Sequence, residues 1–449
     1  MFKHRLLAAA LACALPIPAL AATDAELAAL RAEFDQKLKA LQAAYEARLN
    51  DLEARQIAPG PTHEPPAPPP ASNPVSAAST ANPELSLILQ GGYAKRKAGE
   101  RRPSGFLQDA EIGAPSRGFS LGDSELILGA SIDPSFRGQA TIVLADGAAE
   151  VEEAWFQTTS LDHGLTLKGG RFISGIGYQN EQHPHAWDFT DNNLMYQTLF
   201  GEHLGQDGLQ LKWLAPSDTF VELGMEVGRG SAFPGSEGGG DKNGAGSWAM
   251  FGHVGGDVGE SNSWRAGLSY LGARPKDRES ILIDSGGAEA DTLYSGKSKI
   301  WIADLIWKWA PDGNSRQRNF KFQTEYFQRD ENGALTYDPN GVNASDAYRG
   351  KQSGWYAQGI YQFMPHWRVG LRYDRLSNDS LDYGANNLNL TQTGYAPHKW
   401  SLMTDYAPSE FSLFRLQLAR DNSMQGNPDD SRISLQYIYS LGPHGAHKF

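Results

Sequence analysis

Short runs of alternating apolar and polar residues follow one another from residue 84 to the end of the chain. One run places Val221, Leu223 and Met225 on one face and Glu222 and Glu226 on the other. A period of two is typical of a β-strand with one apolar and one polar face. The runs predict sixteen strands, at 84–97, 118–131, 134–146, 149–160, 164–173, 207–215, 218–229, 245–256, 261–272, 297–310, 317–329, 351–364, 366–377, 397–407, 410–421 and 431–441.

Two kinds of connection separate these runs. Brief turns lie at 132–134, 161–164, 215–218, 310–313, 364–366 and 407–410. Longer connections rich in Gly, Asn and Asp occupy 230–245, 273–298, 330–350 and 376–397. Short turns at one end and long loops at the other are typical of an outer-membrane barrel. The predicted fold class is an all-β transmembrane antiparallel β-barrel of about 16 strands, preceded by an N-terminal α-helical coiled-coil segment.

Aromatic residues concentrate at the ends of the apolar faces. Trp301, Leu305, Trp307 and Trp309 share one such face, and Trp favours the boundary between membrane and water. A soluble β-sandwich would also alternate, but it would bury that face and has no need of so many aromatic residues at strand ends. No later stretch contains the run of about 18 apolar residues that a transmembrane helix requires.

The N-terminus has the pattern of a secretory signal peptide, predicted at residues 1–21. Lys3 and Arg5 precede an apolar run, and Ala19 and Ala21 form a small-x-small cleavage site. A lipoprotein signal centred on Cys13 is the alternative, with a very short apolar region. Removal of Lys3 and Arg5 with the signal moves the formal net charge from -12 to -14, which argues against nucleic-acid binding. It also removes the single cysteine, and with it any thiol chemistry.

Two segments precede the predicted barrel. Residues 22–57 have a helix-forming composition, and the apolar positions from Leu27 to Leu52 are spaced 3, 4, 4, 3, 4, 4 and 3 residues apart. This 11-residue repeat predicts a coiled-coil oligomerisation segment, with a lone solvated helix as the alternative. Residues 58–83 hold nine prolines and predict a semi-extended linker, which places the barrel at 84–449.

A long insert, predicted at 174–206, separates two of the strands. It has no Lys or Arg, but it carries Glu181, Asp188, Asp191 and Glu202 together with several aromatic residues. A loop of this length inside a β-protein is usually functional. We expect the insert to fold back into the lumen of the barrel and to narrow it.

Three features resemble a known family. Gly170-Arg171-Phe172 stands before the insert, Asp207-Gly208-Leu209-Gln210 follows it, and an aromatic final strand leads to a terminal Phe449. In these features the chain resembles the Gram-negative outer-membrane porin superfamily, especially the trimeric, coiled-coil-bearing porins of the DcaP-like and phosphate-selective groups. The resemblance implies a homotrimer in the cell outer membrane, a periplasmic coiled coil, and recognition of Phe449 by the barrel-insertion machinery. The acidic insert departs from an anion-selective pattern.

Strand parity assigns many charged residues to the lumen. The predicted pore lining consists of Glu181, Asp188, Asp191, Glu202, Arg137, Lys168, Lys212, Glu222, Glu226, Lys321, Glu325, Arg368, Arg372, Asp374 and Arg415. Acids on the insert that face bases on the wall would create a transverse field, which orients dipolar solutes and penalises apolar ones.

The insert also holds a histidine cluster. His183 and His185 stand two residues apart with carboxylates on both sides, a pattern that suits Zn²⁺ or another borderline divalent ion. The candidate ligands are Glu181, His183, His185, Asp188 and His203. Histidines also serve as hydrogen-bonding groups in loops, and the predicted fold requires no cofactor.

These patterns predict a channel for passive diffusion of small hydrophilic solutes or ions, with the outer-membrane bilayer and further copies of the chain as partners. The sequence has no nucleophile elbow, phosphate loop or spaced acid pair, so we do not expect an enzyme. The alternatives are a zinc-binding or zinc-uptake channel, a structural or adhesive surface barrel, and a barrel enzyme with a Ser, His and acid set near one rim.

Overall fold

The computed structural model of the protein describes residues 39, 84–97, 102–110, 117–145, 147–390, 394–425 and 430–442. The first nine strands are β1 (Glu84–Lys95), β2 (Gly118–Ser120), β3 (Ser124–Asp133), β4 (Phe136–Ala145), β5 (Ala148–Thr158), β6 (Leu165–Ile173), β7 (Gly205–Leu214), β8 (Phe220–Gly228) and β9 (Ser247–Val258). The next nine are β10 (Asn262–Ala273), β11 (Arg278–Ile283), β12 (Glu289–Trp309), β13 (Asn319–Tyr337), β14 (Ala344–Met364), β15 (Trp367–Asp382), β16 (His398–Ser409), β17 (Ser412–Asn422) and β18 (Asp430–Leu441).

These strands form one closed antiparallel sheet. Each long strand pairs with its neighbours along the chain, and β1 pairs with β18 from Leu87 opposite Leu441 to Lys95 opposite Ile433. Since β2 and β3 both lie along β1, and β10 and β11 both lie along β12, the described strands make a barrel wall sixteen strands wide. The predicted sixteen-stranded barrel is confirmed.

The barrel is apolar outside and polar inside. Leu209, Leu211 and Leu223 point outward and are 39–50% exposed, whereas Gln210 and Glu226 on the opposite face are at most 2% exposed. A soluble protein buries such leucines and rarely leaves an apolar surface this extensive in contact with water. The outer face is therefore suited to lipid, in which a closed sheet pairs every strand edge.

The strands of one half extend further than predicted. Pairing between β12 and β13 runs without interruption from Thr292 opposite Tyr337 to Trp309 opposite Phe320. The predicted loop assignments of 273–298 and 330–350 are therefore wrong, because these stretches contain β11 and the ends of β12, β13 and β14. Their Gly, Asn and Asp residues are typical of turns, but a buried apolar cluster stabilises the extended strands. The cluster consists of Leu107, Leu282, Tyr294, Leu335, Tyr348, Leu381, Tyr383 and Leu390.

Few helices interrupt the described residues. They are α1 (Leu194–Phe200), α2 (Glu237–Gly240) and the 3-10 turns Gln179–Glu181, Pro184–Ala186, Pro311–Gly313 and Gly384–Leu388. None of the helices in this part of the chain is long and apolar enough to cross a membrane. Apart from residue 39, the predicted signal peptide, coiled coil and linker lie outside the described residues, as does Phe449.

Candidate functional site

The insert between β6 and β7 comprises residues 174–204, because β7 already begins at Gly205. Local capping explains the short helix α1 within it. The Asn193 side chain accepts a hydrogen bond from the Tyr196 amide, and Gly201 ends the helix in the left-handed region with φ of 67°. The insert is therefore a folded element with its own secondary structure.

Asn180 holds the two ends of the insert together. Its side-chain nitrogen donates to the carbonyls of Ser174 (2.7 Å) and Leu204 (3.1 Å). Its side-chain oxygen accepts from the Leu204 amide at 2.7 Å. Asn180 is buried, so this bridge fixes the point from which the insert leaves the wall.

Apolar side chains of the insert pack against the inner wall. Ile176, Tyr196 and Phe200 are at most 2% exposed, and the Tyr196 ring meets the ring of Phe327 edge to face at 5.3 Å between centroids. The cluster also contains Phe106, Leu194, Met195, Leu199, Leu204, Ala249, Phe251, Leu271, Ile300, Ile302, Tyr356 and Leu376. Each large side chain buried in this way stabilises the folded state by about 1.5–3 kcal/mol.

Two buried wall carboxylates anchor the start of the insert. Glu226 accepts hydrogen bonds from the Ser174 hydroxyl (2.5 Å) and the Gly175 amide (2.8 Å). Glu325 accepts from the Tyr178 amide (2.7 Å) and from the Tyr196 hydroxyl (3.1 Å). These contacts tie the insert to β8 and β13.

Gly177 lies between the two anchors. It has φ of +64°, and a Cβ atom there would lie 2.5 Å from Glu325 Oε1 and 2.5 Å from the Tyr196 hydroxyl. A larger residue would have to displace one of them. Glycine therefore allows the backbone to approach the wall closely.

Asp188 faces two bases of the wall. Its carboxylate lies 2.5 Å from Lys321 Nζ and 3.4 Å from an Arg368 nitrogen, and it also accepts from Gln358. Burial alone would raise the pKa of Asp188, but the charges of Lys321 and Arg368 outweigh burial and lower it. The carboxylate therefore stays ionised at neutral pH.

Asp191 is surrounded by three bases. It forms an ion pair with Lys399, lies 2.8 Å from Arg372 and 3.4 Å from Arg432, and accepts a hydrogen bond from Gln417 at 3.0 Å. Burial alone would raise the pKa of Asp191, but Lys399 and the two arginines hold it far below its ordinary value of 3.8. The insert thus contacts β15, β16, β17 and β18 through one carboxylate.

Two bases of this wall, Lys399 and Arg432, are absent from the predicted pore lining. Strand alternation could have identified Lys399, because it lies an even number of residues from Asp405 and therefore on the same face of its strand. Predicted Arg415 lies on the same wall, 3.3 Å from Asp405, and donates to the Phe189 carbonyl. Predicted Asp374 pairs with Arg372 at 3.2 Å.

Other predicted lumen residues contact groups of the barrel wall. Lys212 pairs with Glu222 at 2.8 Å, and His253 lies 3.2 Å from the same carboxylate. Lys168 lies over the indole ring of Trp155, 4.6 Å from its centroid. Arg137 is half exposed and pairs with a carboxylate of β1 at 3.1 Å.

The three histidines of the insert contact glutamates of β3 and β5, on the side of the barrel from which the insert leaves. His183 Nδ1 lies 3.0 Å from Glu152 and 3.4 Å from Glu125, and His185 Nδ1 lies 2.8 Å from Glu125. His203 Nε2 lies 3.5 Å from Glu152. Burial alone would lower the pKa of His183, but the glutamates around it raise it well above its ordinary value. Burial lowers the pKa of His203.

Of the metal ligands predicted from sequence, the structure brings the histidines together, with the rings of His183 and His185 5.7 Å apart, but it places the predicted carboxylates elsewhere. Asp188 is engaged by Lys321 and Arg368, and Glu181 is within electrostatic range of Glu222 and Glu226. The reason is geometric, because a 3-10 turn and a buried Trp187 separate Asp188 from the histidines. The carboxylates beside the histidines come from strands instead, a pairing that spacing within the insert does not contain.

A gap remains between the insert and the wall formed by β1 and β16 to β18. Its volume is about 230 Å³, and Asp191, Glu202, Lys399 and Arg432 are among its lining residues. The Glu202 side chain is exposed to this gap. Desolvation of the Glu202 carboxyl inside the barrel raises its pKa to about 7, and the negative charges of Asp123 and Asp191 contribute to the same shift. The gap therefore has fixed charges of both signs and one carboxyl that titrates near neutral pH.

Comparisons with known proteins give one clear relative in sequence. No family model matches the chain. An uncharacterized protein of Aquifex aeolicus (strain VF5) is 31% identical over 394 residues, which is 82% of this chain and 80% of that protein. Among solved structures, the outer membrane channel DcaP of Acinetobacter baumannii is 12% identical with a TM-score of 0.49, over 81% of this chain and 99% of that one. OprB of Pseudomonas putida is 15% identical with a TM-score of 0.48, over 80% and 94% of the two chains.

Proposed function

We propose that this chain, which belongs to the same family as the uncharacterized protein of Aquifex aeolicus, is an outer-membrane channel for passive diffusion of small hydrophilic solutes or ions. The closed sheet and its apolar outer face support this location. Strands β6, β7, β8 and β9 have 9, 10, 9 and 12 residues, and tilted strands of about 9–11 residues span a bilayer.

The observation that carries the proposal is the path of the insert. It leaves the wall at the end of β6, beside Glu226 of β8. It then crosses to β13, where it contacts Glu325 and Lys321, and to β15, where Arg372 pairs with Asp191. A sixteen-stranded barrel is wide enough for an aqueous channel, so a folded element across its lumen narrows the path of a solute. Paired acids and bases along that path favour polar solutes over apolar ones.

The assembly of the channel is part of the same proposal. The narrow apolar stripe of residues 22–57 supports a homotrimer with its coiled coil in the periplasm. The aromatic alternation of β18 before the terminal Phe449 supports insertion by the barrel-assembly machinery.

Planar-bilayer recording in salt gradients tests the channel. Neutralising the four acids of the insert should shift the reversal potential toward anion preference, because it leaves the bases of the wall without their partners. The variant carries Glu181→Gln, Asp188→Asn, Asp191→Asn and Glu202→Gln. The matched control removes four exposed acids from the short turns, with Asp133→Asn, Asp162→Asn, Asp218→Asn and Glu410→Gln.

The control should keep the reversal potential of the wild type, since its charges lie outside the lumen. Absence of single channels in the wild type would overturn the proposal. So would an equal shift of the reversal potential in both variants.

Glu202 should make selectivity depend on pH. Its pKa of about 7 lies above its ordinary value of 4.5, so the carboxyl is neutral at low pH and gains its charge as pH rises through about 7. Cation preference should therefore increase between pH 6 and pH 8, roughly the interval over which such a group titrates. Reversal potentials at several pH values measure this step, and Glu202→Gln should remove it. An Asp191→Asn variant should retain the step but shift it to lower pH, because the charge of Asp191 contributes to the raised pKa of Glu202.

A further inference from the structure

The histidine and glutamate cluster has atoms spaced as in a metal site. One ligand atom each of Glu125, Glu152 and His183 lies within 4.8 Å of the others. His183 Nδ1 is 3.4 Å from Glu125 Oε2 and 3.0 Å from Glu152 Oε2. In a tetrahedral site with bonds of about 2.0–2.1 Å, neighbouring ligand atoms are about 3.3 Å apart. Two of the three spacings thus already match the edge of a Zn²⁺ coordination sphere.

The second nitrogen of His183 has the partner that ligating histidines require. His183 Nε2 lies 3.4 Å from Glu153 Oε2, on the side away from Nδ1. A carboxylate that accepts from one ring nitrogen fixes the tautomer and directs the lone pair of the other nitrogen to the metal. His185 Nδ1, at 2.8 Å from Glu125 Oε1, orients that carboxylate in a similar way.

One oxygen of Glu125 points to a ligand. The Glu125 side chain is fully buried, and within the described residues its Oε2 atom accepts no hydrogen bond. A buried carboxylate oxygen without a hydrogen bond is costly, and a cation at this point would satisfy it. This oxygen is the one that faces His183 Nδ1.

An acidic cleft leads to the cluster. Glu152 lines a cavity of about 800 Å³ whose lining includes seven carboxylate residues and two arginines. Such an excess of negative charge raises the local concentration of cations. The cleft borders Glu152 and shares no lining residue with the gap beside Glu202.

We propose that Glu125, Glu152 and His183 bind one borderline divalent cation, for which Zn²⁺ is the reference ion. Glu125 lies on β3, Glu152 on β5 and His183 on the insert. The bound cation therefore joins the insert to two strands of the wall. Carboxylate and imidazole ligands together favour Zn²⁺ over Mg²⁺, which prefers oxygen ligands and retains its water.

Calorimetric titration of the purified full chain in detergent tests the site without reference to conduction. The wild type should bind one Zn²⁺ per chain and should gain thermal stability with it, whereas Mg²⁺ should produce neither effect. Glu125→Gln together with Glu152→Gln should abolish binding. Glu153→Gln should weaken it about 10–100-fold, as expected for the partner of a ligating histidine.

Glu222→Gln is the matched control, because it removes a lumen carboxylate that also lies beside a histidine, His253. It should bind Zn²⁺ as the wild type does. Heat-modifiable mobility in the presence of a chelator shows that each variant is folded, and His183→Asn replaces any that is not. The proposal is overturned if the wild type does not bind Zn²⁺, if the double variant binds it equally well, or if Glu222→Gln loses it as well.

Discussion

Deletion of residues 177–202 is expected to raise single-channel conductance several-fold. These residues include α1 and both acids that reach the opposite wall, so their removal clears the lumen of a sixteen-stranded barrel. The Ser174 amide donates to the Leu204 carbonyl at 2.9 Å, so a short Gly-Ser link can join the ends without strain. Planar-bilayer recording of the deletion variant beside the wild type measures the effect.

The matched control shortens a loop that does not enter the lumen. Ser285, Gly286 and Gly287 form an exposed tip between β11 and β12, and their deletion should leave conductance unchanged. Heat-modifiable mobility on gels establishes that both variants retain a folded barrel. A folded 177–202 deletion with the conductance of the wild type would place the path of solutes away from the insert.

Asp191→Asn is expected to release the tip of the insert from the wall. The substitution leaves Arg372, Lys399 and Arg432 without their shared carboxylate, and loss of one partner from a buried ion pair costs about 3–5 kcal/mol. The free energy of unfolding should fall by an amount in this range, and channel noise should rise. Chemical denaturation of the refolded barrel and bilayer recording measure the two effects.

The pKa of Asp191 sets the pH range of this effect. Because the pKa is held below its ordinary value of 3.8, the ion pairs contribute their full stability above that pH and lose it only as pH falls further. The difference between Asp191→Asn and the wild type should therefore be constant at neutral pH.

Asp207→Asn is the control for an exposed pair. Its bidentate partner Arg171 is 49% exposed at the side chain, and such surface pairs contribute about 0–1 kcal/mol. Equal destabilisation by the two substitutions would contradict the special role assigned to Asp191.

Strand alternation allowed most of the barrel to be predicted. In runs such as 220–229, the period of two assigns each residue to a face without knowledge of any partner strand. The ends of strands were harder to predict, because residues such as Asn332 and Gly333 favour turns locally but pair with Lys297 and Gly296 of β12. Strand length beyond the bilayer depends on tertiary packing.

The candidate site shows the same division. Composition identified the acids of the insert, because a stretch from 173 to 210 without Lys or Arg is visible in the sequence. Which base meets which acid was not visible, since Asp191 and Lys399 are more than 200 residues apart and come together only when the sheet closes. Likewise, spacing within the insert grouped His183 with Asp188, although the wall supplies its actual carboxylates.

The sequence alone determined that the chain forms a barrel, because a barrel strand is specified by its own alternation and by the turn that follows it. Its charge pattern also determined that an acidic insert interrupts an otherwise mixed lumen. Only the tertiary structure decided the contacts of that insert, with Glu125 and Glu152 beside the histidines and Arg372, Lys399 and Arg432 around Asp191. The physical reason is that side chains from distant strands become neighbours through the register of a closed sheet, which no local spacing encodes.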